Sequence, residues 1–528
     1  MIEKFRWWQS GVFYQVYPRS FQDTDGDGVG DLRGVAARLP YLRELGVDAL
    51  WLSPVFPSPM ADFGYDISDY TGIDALFGTL DDLDALVTAA HAHGLKVILD
   101  LVANHTSEQH PWFAESRSSR DNPKRDWYIW RDGKGDGPPN NWLSEFGGSA
   151  WQFDRQTGQY YYHAFLRAQP DLNWRNPQVC EAMHEVMRFW LQRGIDGFRV
   201  DAMWHLIKDD LFRDDPPNPD ATSGQAPYQK LLHTYSGDRP EVHAVAADMR
   251  RVMDGFNERV LIGEIYLSPD KLVAFYGRDL KGVQLPFNFA LISAPWTAAA
   301  ISNVIDIYEA ALPPGAWPNW VLGNHDRPRI ASRAGEAQAR VAAMLLLTLR
   351  GTPTLYYGDE IGMKQVPIAA DQVCDPWEKN LPGRGLGRDG CRTPMQWDSS
   401  LHAGFTDGMP WLPLDTDFAV RNVATGRQDR ASILNLYRAL LALRRARPEL
   451  TVGAYSRLAL SGDLLVYRRE HEGRHLAVAL NFGSTPAPLP EAIVSCGKIV
   501  LSTFMDRTGQ PVEAGFVLRA AEGAVIEF

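Results

Sequence analysis

The chain has 528 residues, 45% of them hydrophobic, with 53 Lys and Arg against 65 Asp and Glu and a formal net charge of −12. Such a length holds about two to four domains, or one α/β barrel of roughly 250 residues carrying insertions, and the acidic balance argues against nucleic acid or an anionic membrane as partner. Charged residues at 22% and aromatics at 11% argue against overall disorder.

No stretch approaches the roughly 18 consecutive apolar residues of a membrane-spanning helix. The N-terminal MIEKFRWWQSGVFYQVYP lacks a signal peptide's apolar core. Four cysteines, Cys180, Cys374, Cys391 and Cys496, are too few for a disulfide scaffold. Cys374 and Cys391 flank a Gly-rich stretch and could bridge it, but the chain reads as soluble and cytoplasmic, where thiols stay reduced.

In chain order, residues 13–17 read as a strand, Leu32 to Leu45 as a helix stopped by Gly46, and 48–53 as a second strand. A helix over Leu80–His93 closes at Gly94 and is followed by a buried strand over 96–102. The pattern resumes with a helix from Pro177 to Arg193, a strand over 195–201, a helix over about 241–257 and a strand over 259–265. Strands over 282–287, 319–326 and 352–360, with helices near 294–311 and 335–350 between them, complete eight strand–helix repeats. Eight repeats favour a closed (β/α)8 TIM barrel over an open sheet.

Three regions break the alternation. Residues 104–173, too long for an ordinary loop, read as a small domain inserted after the third strand, dividing the barrel into 1–103 and 174–358. Residues 205–240 read as a long loop beyond the fourth strand, and 359–427 as an insertion after the eighth. The last barrel helix is expected over about 431–446, within 428–449, and short strands over 450–528 read as a C-terminal antiparallel β-sandwich.

Catalytic residues of a barrel sit at the C-terminal ends of its strands. Those positions hold Asp100, Asn104 and His105 after the third strand, Arg199 and Asp201 at the fourth, Glu264 at the fifth, and His325 and Asp326 at the seventh. Any one carboxylate could merely cap a helix or pair with a neighbour; their gathering at one mouth points to chemistry. Glycoside cleavage needs several carboxylates and no cofactor. One must be ionised and another protonated near neutral pH. Arg199, two residues before Asp201, shares its strand face and favours its ionised form, which makes Asp201 the nucleophile and leaves Glu264 as the acid.

DLVANH (100–105), DGFRVDA (196–202), IGEIYL (262–267) and LGNHDRPR (322–329) resemble the four conserved segments of the α-amylase family, glycoside hydrolase family 13. QPDLNW (169–174) resembles the extra segment of its oligo-1,6-glucosidase and α-glucosidase subfamily, and residues 11–34, GYDISDY (64–70) and CRTPMQWD (391–398) strengthen that placement. The resemblance implies the barrel, the inserted domain and the terminal sandwich. It implies Asp201 as a nucleophile forming a covalent glucosyl intermediate, Glu264 as acid then base, and Asp326 as the stabiliser of the distorted sugar. It places His105, His325 and Arg199 around the cleaved sugar and Tyr65 stacked on it. Asp66 and Arg392 would grip the non-reducing end, and Phe146 and Gln169 assist.

In DTDGDGVGD (23–31), Asp23, Asp25, Asp27 and Asp31 fall at calcium-loop positions 1, 3, 5 and 9, Gly28 falls at 6, and Val29 offers its carbonyl. The bidentate Glu of an EF-hand is absent, since Gly34 stands there. The resemblance implies a structural Ca2+ or Mg2+ here and no cofactor for catalysis. Ala202 follows the expected nucleophile; in the resembling subfamily a Val there accompanies α-1,6 preference and a smaller residue α-1,4.

The expected activity is therefore a retaining, exo-acting α-glucosidase on short α-glucosides, α-1,4 favoured, with transglucosylation sharing the intermediate. An α-glucosyltransferase or a sucrose or trehalose isomerase is the alternative on the same fold. A non-catalytic transporter subunit would need a membrane anchor, and GYDISDY and QPDLNW argue against an endo-amylase. The expected partner is a small-molecule α-glucoside, with the chain a monomer or homodimer.

Overall fold

The strands of the central sheet are β1 (Phe13–Val16), β2 (Ala49–Leu52), β3 (Lys96–Leu101), β4 (Gly197–Val200), β5 (Val260–Ile265), β6 (Leu285–Asn288), β7 (Asn319–Val321) and β8 (Thr352–Tyr356). The computed structural model describes residues 5–490 and 497–528; Cys496 lies outside them. Every ladder in this sheet is parallel, in the order β7-β8-β1-β2-β3-β4-β5-β6. The end strands β6 and β7 lie side by side without a ladder, so the barrel closes there by packing. Pro286 within β6 offers no N–H to either neighbour.

Alternation along the strands sorts their side chains. Phe13, Trp51, Ile98, Val260, Ile262, Leu285, Phe287 and Val321 fill the barrel interior, while Tyr14, Val16, Leu50, Leu52, Val97 and Leu99 pack outward in a larger cluster that also takes in the surrounding helices. Asp100 and Ile98 share one parity, as do Glu264 and Ile262. The polar residues at the strand ends therefore crown the interior layer.

The helix expected over Leu32–Leu45 is two helices, Leu32–Ala37 and Leu39–Leu45, joined at Arg38 (φ −97°, ψ 1°). Pro40 is the cause: it has no N–H to return to the preceding turn, and its ring crowds that turn. The expected stops are present: Gly46 takes φ 103° and Gly94 φ 72°, left-handed values that suit glycine. The strands expected over 319–326 and 352–360 stop at Val321 and Tyr356, and the remaining residues turn into the mouth.

Within 104–173, strands 130–131, 151–154 and 159–162 form a three-stranded antiparallel sheet. Trp142, Trp151 and Tyr162 centre a small core of this region. Beyond Pro448, a six-stranded antiparallel sheet is joined by a separate two-stranded ladder, 487–488 with 517–518. Its first strand is Ala454–Ser461. Buried Arg444 donates to the carbonyls of Leu347, Leu349, Gly351 and Leu450, and Arg469 donates to those of Thr348 and Gly453. Arg469 thus pins the terminal sheet to the barrel, and Arg444 pins the segment that leads into it. Cys374 and Cys391 are free thiols. Among the described residues no helix is long and apolar enough to cross a membrane.

Candidate active site

Arg199, fully buried on β4, organises the mouth. Its Nη1 donates to Asp100 Oδ1 at 2.8 Å and to Asp201 Oδ1 at 2.6 Å. Its Nη2 lies 2.7 Å from Glu264 Oε1 without hydrogen-bond alignment. The guanidinium therefore touches both expected catalytic carboxyls, which sequence reasoning assigned to Asp201 alone. The distinction survives in the alignment, since only Asp201 receives a directed bond. Asp100 is held from its other side by Trp51 Nε1 (3.1 Å) and the Tyr65 hydroxyl (3.0 Å).

Ala202 stands in the left-handed region (φ 42°, ψ 40°), unusual for a residue with a Cβ. That turn ends β4 and aims the Ala202 N–H at Glu264 Oε2, 2.8 Å away. Burial pushes the Glu264 carboxyl up to about 8; Arg199 opposes the shift, and the negative Asp201 and Asp326 reinforce it. Burial also raises Asp201 and Asp100, with Arg199 pulling both back. Asp326 goes the other way: burial would raise it, but His325, Arg388, Arg392 and Arg199 together hold it well below the carboxylate range. The mouth thus holds one acid poised to stay protonated at neutral pH and one carboxylate that stays ionised.

His325 is buried, and burial drives its pKa well down, so the ring is neutral. Gln15 Nε2 approaches His325 Nδ1 at 2.7 Å, which leaves the ring proton on Nε2, 3.2 Å from Asp326 Oδ2. Tyr65 stacks on this ring with centroids 5.2 Å apart. His105 also lines the cavity, but its nitrogens are engaged by Asn104 Nδ2 (3.2 Å) and the Tyr65 carbonyl (2.9 Å). Lys208 holds Asn104 (2.7 Å) and Asp171 (2.5 Å) behind it. Gln169 donates to the same Tyr65 carbonyl at 3.0 Å. Phe146 lines the cavity beside Trp377, 5.2 Å between ring centroids.

Two expected sugar-gripping residues stand elsewhere. Asp66 is fully buried and accepts from Ser58 Oγ and the Ala61 and Asp62 amides, so it fixes the turn that presents Asp62. Arg392 is also fully buried; it donates to the His325 carbonyl (2.8 Å) and to Asp326 (3.0 Å), bracing them from behind. The residues that face the cavity in their place are Asp62 and Arg388, paired at 2.6 Å, with Arg388 also bound to Asp375 at 2.7 Å and reaching Asp326 at 3.3 Å. Asp62 lies four residues before Asp66, and Arg388 four before Arg392. No period or motif spacing separates them, because three distant loops must fold together to make the pair.

The cavity has a volume of about 460 Å³, within the range of small-molecule sites. Sequence reasoning missed Glu145, Trp204, Tyr228, Tyr266, Arg327 and Trp377 on its wall. Tyr228 comes from the 205–240 segment, which Arg384 Nη1 tethers to the 359–427 insertion through the Gly224 carbonyl at 3.2 Å.

At the acidic loop, carboxylate oxygens of Asp23, Asp25 and Asp27 lie within 4.8 Å of one another. Asp27 is raised by burial and by the charges of Asp25, Asp23 and Asp31, against the Val29 N–H that it accepts at 2.7 Å. A hard-oxygen set with uncompensated charge fits a divalent cation such as Ca2+. Asp31 caps Leu32–Ala37 through the Gly34 N–H (2.7 Å) and accepts from Thr24 N and Oγ1, much as Asp23 accepts from the Asp25, Gly26 and Gly28 amides.

Residues 15–453 match the family model for the α-amylase catalytic domain. A probable α-glucosidase of Rhizobium meliloti is 44% identical over 91% of this chain and 90% of its own length. An oligo-1,6-glucosidase of Heyndrickxia coagulans is 39% identical over 90% of this chain and 92% of its own. Among solved structures, an α-glucosyl transfer enzyme superposes with a TM-score of 0.92 at 40% identity, covering 99% of this chain and 100% of that one. The trehalulose synthase of Pseudomonas mesoacidophila MX-45 gives 0.90 at 35% identity with the same coverage.

Proposed function

The chain belongs to the α-amylase family and is an enzyme hydrolysing α-glucosides, and from that premise we propose that it is a retaining exo-α-glucosidase in which Asp201 is the nucleophile and Glu264 the acid and base. The observation that carries this reading is the sharing of Arg199 by the two carboxyls, Asp201 through a directed bond and Glu264 through an unaligned one. A single guanidinium keeps the pair close, which favours the separation of about 5–5.5 Å used by retaining enzymes. Asp201 attacks the anomeric carbon while Glu264 protonates the bridging oxygen. Water deprotonated by Glu264 then releases α-glucose. Ionised Asp326 accepts the sugar's hydroxyls, and the neutral His325 N–H orients it.

The Asp62–Arg388 pair supports exo-action, since a salt-bridged wall leaves room for one terminal sugar beyond the scissile bond. The small Ala202 beside Glu264 supports α-1,4 preference. Proton NMR of maltose cleavage tests the reading: α-glucose appears first, before mutarotation, and β-glucose appearing first refutes the covalent route. Transfer is a second reading, favoured by the likeness to the glucosyl transfer enzyme and the trehalulose synthase. New α-glucosidic signals in the same spectra mark it.

We assign Asp23, Asp25 and Asp27 to a structural Ca2+ or Mg2+ that takes no part in bond cleavage. Chelation with EDTA is expected to lower Tm by about 3–4 °C, the loss of roughly 4 kcal/mol of binding free energy in a chain of this size, with initial kcat unchanged and Tm restored by added Ca2+. An unmoved Tm refutes the assignment.

A further inference from the structure

The carboxylates Asp62, Asp201, Glu264 and Asp326 on the cavity wall each have an arginine partner. Glu145 has none: burial and through-space charges alone act on it, with no hydrogen bond among them. The cation that acts on it most is Arg327, whose guanidinium lies over the Tyr266 ring, 5.1 Å from its centroid, and which forms no ion pair with Glu145. Both side chains line the same cavity. An acidic and a basic side chain thus share one cavity wall with no hydrogen bond or ion pair between them.

The two are rigidly presented. Glu145 N donates to the Ala164 carbonyl (2.9 Å), and Ser144 Oγ anchors the same turn to the Phe165 carbonyl (2.6 Å). Arg327 follows Asp326 directly in the segment that turns into the mouth after β7. Their position relative to the reacting groups is also set. Asp62, Arg388 and Asp375 close the glucose end. Through space Glu145 feels Arg327 and, more weakly, Glu264, Asp326 and Arg388, and it is felt by Tyr228 of the 205–240 segment. No hydrogen bond or ion pair ties it to the wall at the glucose end, and Glu264 as the acid must face the leaving oxygen, which places Glu145, with Tyr228, toward the aglycone.

We propose that Glu145 and Arg327 form the aglycone subsite, Glu145 accepting and Arg327 donating hydrogen bonds to neighbouring hydroxyls of the departing or incoming sugar. This rests on the hydrolase reading above and extends it to a polyhydroxylated acceptor. A charged group left without a partner in a cavity costs free energy that a ligand's hydroxyls recover on binding. Hydroxyls supply both a donor and an acceptor, which a planar, apolar leaving group does not.

The test is the ratio of kcat/KM for maltose to kcat/KM for p-nitrophenyl α-glucoside, whose leaving group has no hydroxyls to offer. In E145A and in R327M this ratio falls by at least about tenfold, the loss of one hydrogen bond to a charged partner. E145Q, which keeps a polar amide in place, falls between E145A and wild type. The two variants lie on different elements, so misfolding of one leaves the other decisive. A ratio within about twofold of wild type in either overturns the paired subsite. A wild-type enzyme that cleaves neither substrate instead overturns the hydrolase reading, and this proposal with it.

Discussion

Asp201→Asn abolishes turnover, with kcat on maltose lowered by about 10⁴-fold or more, while thermal stability at neutral pH holds or rises. The first effect follows from the loss of the attacking oxygen: an amide cannot form the glucosyl ester. The second follows from crowding, because Asp100, Asp201 and Glu264 converge on one guanidinium and burial raises all three. A carboxyl raised on folding binds its proton more tightly in the folded state. Its contribution therefore becomes destabilising as pH rises from the unfolded value near 4 through the folded one. Asn carries no such charge, and Arg199 keeps Asp100 as partner. Melting curves at pH 5 and pH 7 check this: the Tm of the variant relative to wild type is higher at pH 7 than at pH 5. A fall of several degrees at pH 7 would make Asp201 a structural residue. Function here is held at the expense of stability, as is common where an active site concentrates like charges.

Glu264→Gln is expected to lower kcat/KM on maltose by about 10²–10⁴-fold, the range for loss of general acid catalysis, and to lower it less on p-nitrophenyl α-glucoside, whose leaving oxygen needs little protonation. The wild-type pH profile carries the same signature. Activity on maltose falls on the alkaline side as Glu264, pushed up to about 8, loses its proton. It falls on the acid side as Asp201 gains one, its pKa being raised by burial and held back by Arg199. In E264Q the alkaline limb disappears and the acid limb stays. An alkaline limb unchanged in the variant would assign the acid role to another group, with Glu145, raised by burial to about 7, the nearest candidate.

Much of the site was legible before folding. Asp201, Glu264, Asp326, Arg199 and His325 stand at strand ends, and strand periodicity alone places strand ends at one mouth. Tyr65 and Gln169 entered through matched motifs and Phe146 through the family resemblance alone, and all three lie on the cavity wall. Asp66 and Arg392 were drawn by the same route and lie behind the wall, while Asp62 and Arg388 face it. A motif marks a segment, and which of its polar residues turns inward depends on loop conformation. Glu145 carried no signal, since it sits in an irregular turn, and Arg327 lay inside the matched segment 322–329 with nothing to single it out beside Asp326. In the acidic loop the spacing grouped Asp31 with its neighbours, and only the folded chain shows that it also caps the helix that follows.

Alternation of eight short apolar runs with amphipathic ones determined the barrel, because a period of 2 and a period of 3.6 are local properties of the chain. The same local rules located the helix stops at Gly46 and Gly94 and, through strand ends, the acids. Tertiary structure alone decided that one buried arginine serves three carboxyls, that Asp62 meets Arg388 across 326 residues, and that Glu145 and Arg327 share one cavity wall without an ion pair. These are long-range electrostatic arrangements, and their energies depend on burial and distance. Neither quantity is written in the order of the residues.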